Sequence, residues 1–172
     1  MFGNKRILRF IALILLVLWM SLIFGLSSQN AANSASVSSG LSRKIVSMLY
    51  PKFEDLSEAE QREILSSLAF PVRKAAHFSL FAVLGVIAFW NVSFFDKLSL
   101  KAKSLISIGF SSLYAATDEF HQLFIEGRSG ELRDIFIDTA GAIFSISILL
   151  IVRQIALKKK AKKIAEENYD KA

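Results

Sequence analysis

The sequence predicts an all-α integral membrane protein: a bundle of four transmembrane helices with short interfacial helices in the first external loop. Two observations point there. Over the 172 residues, 53% are hydrophobic and the mean hydropathy is +0.44, more than a single soluble core requires. The apolar residues also gather into runs of the roughly 20 residues needed to cross a hydrocarbon layer about 30 Å thick at about 1.5 Å per residue. Lys and Arg lie mainly between and beyond these runs. The net charge of +6 therefore reads as membrane topology rather than as a nucleic-acid footprint. With no cysteine, disulfides, thiol nucleophiles and thiolate metal sites are excluded.

The first span, about 7–26, follows Lys5 and Arg6 and carries Arg9 near its start. Its apolar core exceeds the roughly 7–15 residues of a signal-peptide core, which favours an uncleaved anchor. An external loop over 27–74 opens with the low-complexity stretch SSQNAANSASVSSG and closes around Pro71. Two short interfacial helices fit inside it. Leu41, Ile45, Met48 and Leu49 share a face in the first; Ser57 and Glu60 form a capping-box pattern ahead of Ile64, Leu65 and Leu68 in the second. Spans two and three, about 75–95 and 104–125, make a hairpin around Asp96, Lys97, Lys101 and Lys103. Span four, about 135–152, follows the loop EGRSGELR. The membrane domain thus covers 1–152, and 153–172 is a basic tail. Trp19 and Trp90 are expected to be lipid-facing or interface anchors. Gly127 and Gly130 allow the tight loop before span four.

Orientation follows from the basic residues. Thirteen of the 21 Lys and Arg fall on the side holding the amino terminus, the hairpin turn and the tail, the last of these being Lys171. Both termini are expected to be cytoplasmic, with membrane lipids as the first partners.

Ionisable residues within spans are costly and mark candidate sites. His77 opens span two, Asp118, Glu119 and His121 close span three, and Asp138 opens span four, all near the outer face. Helical spacing groups them further. Tyr114, Asp118 and His121 form one stripe, Arg73 and His77 a second, and Asp134, Asp138, Gly141 and Ser145 a third whose small residues permit close helix approach. Arg128 and Arg133 are expected to close the mouth.

Three readings of this cluster stay open. It could be a structural clamp of paired charges; a site where arginines grip an anionic lipid or wall-precursor head group; or a metal or acid–base centre, with His77, His121, Asp118 and Asp138 able to supply metal ligands and Asp118, His121, His77 and Glu119 as the catalytic candidates. No HExxH-like spacing supports a metal, and no cofactor is expected.

FGLSSQ ending span one, RKAAHF opening span two, and LYAATDEFHQLFIEGRSGELRDIFIDTAGA through spans three and four resemble the VanZ-like family of bacterial membrane proteins. The likeness covers most of residues 10–150. It picks out Ser28, Gln29, Arg73, Lys74, His77, Asp118, Glu119, Gln122, Arg128, Asp134 and Gly141. Many members carry Pro where this chain has Glu126 and Asn where it has Asp138, and a carboxamide at the latter position neither ionises nor binds metal as a carboxylate does. The resemblance implies a role at the cell envelope, because the founding member is associated with resistance to teicoplanin-type glycopeptides. It implies no known reaction. The candidate binding set is accordingly Arg73, Lys74, His77, Asp118, Glu119, His121, Gln122, Arg128, Arg133, Asp134 and Asp138. The rival expectations are an intramembrane hydrolase or transferase acting on a lipid-linked substrate, and a purely structural membrane component.

Overall fold

Helix is the regular structure throughout the described residues, 2–169, of the computed structural model. The elements are α1 (Phe2–Ser27), α2 (Ala31–Leu49), a short 3-10 helix (Pro51–Asp55), α3 (Glu58–Ser93), α4 (Leu100–Gln122) and α5 (Leu132–Tyr169). Lys171 lies outside the described residues.

Three helical stretches are long and apolar enough to cross a membrane: Asn4–Ser27, Glu58–Ser93 and Leu132–Glu167. Large apolar side chains such as Phe10, Leu18, Phe144 and Ile151 project outward from α1 and α5, as lipid contact requires. The stretch expected as span three falls on α4, which is not among them. Its serines and its Asp118–Glu119 pair lower its hydropathy. Each serine nevertheless satisfies its own hydroxyl within the helix: Ser104, Ser107, Ser111 and Ser112 donate to the carbonyls four residues back at 2.8–3.0 Å.

The segment predicted to be an external loop is more helical than expected. α2 takes in most of the low-complexity stretch, beginning where the Asn30 side chain accepts from the Asn33 N–H at 2.9 Å. Its buried face is Ser34, Ser38, Ser42 and Val46, small residues at i, i+4 spacing that seat it closely against α3. The capping box at Ser57 and Glu60 forms as expected. The Glu60 carboxylate accepts from the Ser57 N–H and hydroxyl, at 2.9 and 2.6 Å, and these bonds hold its pKa below the usual carboxylate value. The helix it starts does not stop at Pro71, however, but runs on to Ser93 as one element. Proline removes only one backbone donor, that to the Ser67 carbonyl, and both residues lie on the exposed side.

α3 is the central element and packs on α1, α2, α4 and α5. α1 runs antiparallel to it. The contacts are Asn91 donating to the Ala12 carbonyl at 3.0 Å and Trp19 to the Leu80 carbonyl at 2.9 Å. Trp19, half-buried, therefore packs on the Ile23–Phe81–Leu84–Ala115 core with its indole tied to α3. α4 runs parallel to α1, tied by Tyr114 Oη donating to the Met20 carbonyl at 2.6 Å. α5 lies parallel to α3 and approaches it most closely of all. A Cβ at Gly85 would sit 2.9 Å from Ala142 Cα, and one at Gly141 would collide with the Phe78 carbonyl oxygen and lie 3.1 Å from the Ala82 nitrogen. These contacts bring the ends of α1 and α4, the start of α5 and residues 73–77 of α3 to one end of the bundle.

Gly141→Ala is expected to destabilise the protein by about 1–3 kcal/mol in detergent unfolding, because the methyl group must push two backbones apart. Gly109→Ala, at a helical position with nothing within 4 Å, should be neutral or slightly stabilising. Equal effects of the two substitutions would remove the close α3–α5 contact as the origin.

Candidate functional site

At that end lies a polar cavity of about 80 Å³, lined by Arg73, Lys74 and His77 of α3, Gln122 of α4, Arg128 of the α4–α5 loop and Asp134 of α5, with Ala31, Gly127, Ser129 and Glu131 closing it. The loop can turn this tightly because Gly127 adopts φ +71°, a region few side-chain-bearing residues enter. A Cβ at Gly130 would sit 2.7 Å from the Glu119 carbonyl oxygen.

The cations on its wall differ in how they are engaged. Lys74 is ion-paired with Asp134 across the α3–α5 seam. Arg128 donates Nε to the Gln29 carbonyl at 3.1 Å and Nη1 to Gln122 Oε1 at 3.2 Å, both neutral acceptors. Burial, and next the like charge of Arg73, push the Arg128 guanidinium below its ordinary pKa. Arg73 itself has no ion-paired carboxylate among the described residues; its guanidinium carbon lies 6.0 Å from the Phe70 ring centroid.

Behind Gln122 stand the carboxyls of α4. Asp118, 3% exposed, accepts from Ser27 Oγ at 2.7 Å and from Gln122 Nε2 at 3.2 Å, while its second oxygen is buried without a partner. Glu119, also 3% exposed, accepts from Gln122 Nε2 at 3.2 Å and from the Glu131 N–H at 2.8 Å, which pins the loop to α4. Gln122 thus uses its amide in both senses, donating to two carboxyls and accepting from Arg128. Beneath the cavity, His77 Nδ1 faces Asp138 Oδ2 at 3.7 Å, an ion-pair distance longer than a hydrogen bond. Asp138 is fully buried, and neither of its oxygens has a hydrogen-bond partner among the described residues.

The expected site residues therefore divide. Arg73, Lys74, His77, Gln122, Arg128 and Asp134 meet at the cavity, and Asp118, Glu119 and Asp138 form a buried layer behind and beneath it. His121 does not join them: it turns toward α1 and packs on Phe24, with ring centroids 4.4 Å apart. The stripe Tyr114–Asp118–His121 as a whole faces α1, whose Met20, Phe24 and Ser27 it touches. Arg133 stands outside the mouth, bonded to Glu131 at 3.2 Å and 5.1 Å from the Phe70 ring centroid. Ser28, picked out by the resemblance, bonds back to the Phe24 carbonyl of its own helix, and the preceding residue, Ser27, reaches Asp118 instead. Ser27 and the backbone donor of Glu131 escaped the sequence reading. The adjacent Ser28 was the one available hint for Ser27, and nothing in side-chain identity marks a backbone donor.

Among the described residues no group of three His, Asp or Glu side chains is arranged to hold a metal ion; the two histidines point to different neighbours. What the cavity offers is free guanidinium hydrogen-bonding capacity, an imidazole and a backing of buried carboxyls.

No curated protein and no solved structure matches the chain. Residues 11–153, most of its length, match the model of the VanZ/LLP1 family, and the chain belongs to that family.

Proposed function

We propose that this VanZ/LLP1 family member is a four-span protein of the bacterial cell membrane with both termini cytoplasmic. Its outward-facing polar cavity binds the anionic head group of a lipid or wall precursor. By doing so it modulates the envelope and lowers susceptibility to teicoplanin-type glycopeptides. The observation that carries the ligand class is Arg73. Its guanidinium lines the cavity without an ion-paired carboxylate among the described residues, beside an Arg128 whose acceptors are neutral. Two adjacent guanidiniums repel each other unless an anion sits between them, and planar guanidinium groups suit the bidentate grip of phosphate or carboxylate. α4 supports the four-span reading because it packs against both α3 and α5 with its serine hydroxyls satisfied internally. The basic residues concentrated at the amino terminus, hairpin turn and tail support the orientation.

A second reading is an intramembrane hydrolase or transferase acting on a lipid-linked envelope substrate. The specific observation favouring it is the buried Asp138 facing His77, since a carboxylate that orients an imidazole at the edge of an anion cavity is the arrangement general-base catalysis uses.

Deletion should raise glycopeptide susceptibility and overexpression lower it, measured as inhibitory concentration of teicoplanin. Arg73→Gln and Arg128→Gln should each reach normal membrane levels and lose about tenfold or more in head-group affinity, with the susceptibility effect lost in parallel. Unchanged susceptibility on both deletion and overexpression would remove the resistance role for this member.

Asp138→Asn distinguishes the two readings. Under the binding reading the variant keeps its effect on susceptibility, since the carboxamide preserves the shape beneath His77; under the catalytic reading the effect disappears at normal protein level. We expect it to be kept. A fall in membrane level, as losing one partner of a buried charge pair at about 3–5 kcal/mol would cause, would return the pair to a structural role.

Reporter fusions after Val152 and within the 96–103 turn are expected to report cytoplasmic exposure. An external signal from either fusion would overturn the four-span topology.

A further inference from the structure

A second cavity, of about 110 Å³, adjoins the polar one on the side of α1 and α2. It shares Arg73, His77 and Arg128 with the polar cavity, and on its other flank shares Leu26, Leu41, Val72, Ala76 and Leu80 with a groove of about 520 Å³. That groove lies between α1 and α3 beneath Leu41 and Ile45 of α2, and Trp19, Ser79 and Val83 line its deeper part. Its wall on α3 extends from Val72 to Val83, about 16 Å of helix. The lining thus changes from guanidinium to aliphatic across three adjoining cavities. It does so in the direction in which a lipid itself changes, from the outer face toward the middle of the helices.

Resting on the anion-binding reading above, we propose that the site takes a whole phosphate-bearing lipid. The phosphate lies against Arg73 and Arg128, and a hydrocarbon chain lies in the groove walled by α1, α2 and α3. Three observations favour this occupant over a soluble anion or a protein segment. The groove volume falls within the roughly 300–1,000 Å³ of small-ligand sites. Its lining is almost wholly apolar, and the Ser79 hydroxyl is spent on the Ala75 carbonyl at 2.7 Å, so the groove offers a protein backbone few partners. Its charged end meets the outer face and its apolar end runs inward beside the lipid-facing surface, so a lipid can enter sideways without leaving the bilayer. The ligand class is therefore an acyl or isoprenyl phosphate lipid, and Trp19 is the residue its chain lies beside.

Trp19 also provides the test. In Trp90→Phe protein Trp19 is the sole tryptophan, since the sequence contains two. The purified full chain in detergent micelles is titrated with phosphatidic acid brominated on its acyl chains, and separately with phosphatidylcholine brominated in the same way. Saturable quenching of Trp19 is expected, with an affinity for phosphatidic acid about tenfold above that for phosphatidylcholine. The preference should vanish in Arg73→Gln/Arg128→Gln. Ser79→Phe and the smaller Ser79→Leu, at an exposed groove position, should weaken quenching by both lipids while leaving the protein folded by circular dichroism.

If phosphatidic acid is retained in native mass spectra and depends on the arginines, yet Trp19 is not quenched and the Ser79 substitutions change nothing, the head-group reading stands and the groove proposal falls. If both lipids quench equally and the arginine substitutions change nothing, the head-group reading falls. A dimer that shields Trp19 from both lipids would assign the groove to a second copy of the chain and overturn the proposal as well.

Discussion

The close approach of α3 and α5 is the constraint on which the polar end of the molecule depends. Gly85 faces Ala142 and Gly141 faces the Phe78 carbonyl with no room for a Cβ at either glycine. Because the two helices run parallel and touch backbone to backbone there, the residues one and two turns toward the start of α5 are brought into register. His77 meets Asp138, and Lys74 meets Asp134. A side chain in place of either glycine would separate the helices, and long side chains reaching across a wider gap pair less specifically than short ones held at fixed distance. Small residues at a membrane helix interface do for packing what apolar burial does in water, since lipid tails offer no hydrophobic penalty for staying apart. Here the same contact also fixes the geometry of the ionisable groups.

Once those groups are buried, they require partners, and Gln122 supplies several at once. Its amide donates to Asp118 and Glu119 and accepts from Arg128, so a neutral side chain joins two carboxyls to a guanidinium without a direct ion pair. An ion pair in the same place would spend the donors of Arg128 on a fixed carboxylate. A glutamine leaves the guanidinium charge uncompensated by direct contact, while the carboxyls behind it make the partial burial of two neighbouring arginines tolerable. Asp134 serves Lys74 in the opposite manner, as a direct partner. The cavity thus holds one neutralised cation and two that are not, a division that pure clamping of helices does not require.

Helical spacing made much of this legible from the sequence. Arg73 with His77, and Asp134 with Asp138 and Gly141, share faces because residues three and four apart must, and the structure brings these two stripes together. Spacing says nothing, however, about which neighbour a stripe meets. Tyr114, Asp118 and His121 share a face as expected, but the face turns toward α1, so His121 leaves the site and Ser27 enters its periphery. The same gap explains Trp19, whose indole N–H finds a carbonyl on α3 that no local pattern reveals. The segment between spans one and two departs from its local signals for a different reason. Serine-rich composition and Pro71 both argue locally against helix, and both are outweighed by tertiary packing. The serines form the flat face that α2 presents to α3, and the proline sits where the lost hydrogen bond falls on the exposed side.

That override has a functional side. Had α3 ended at Pro71, Arg73 and Lys74 would lie on a loop, and their guanidinium and ammonium groups would be free to wander by several ångströms. Within a continuous helix they are held at fixed rotation relative to His77, one turn on, and the helical start of α2 places Ala31 over the same cavity. A continuous α3 also carries one wall of the apolar groove from Val72 to Val83 without interruption. The charged and apolar parts of the path are therefore two stretches of a single rigid element, and their separation is set by helix geometry rather than by loop conformation. A site built this way holds its charged end and its apolar wall at a fixed distance from each other.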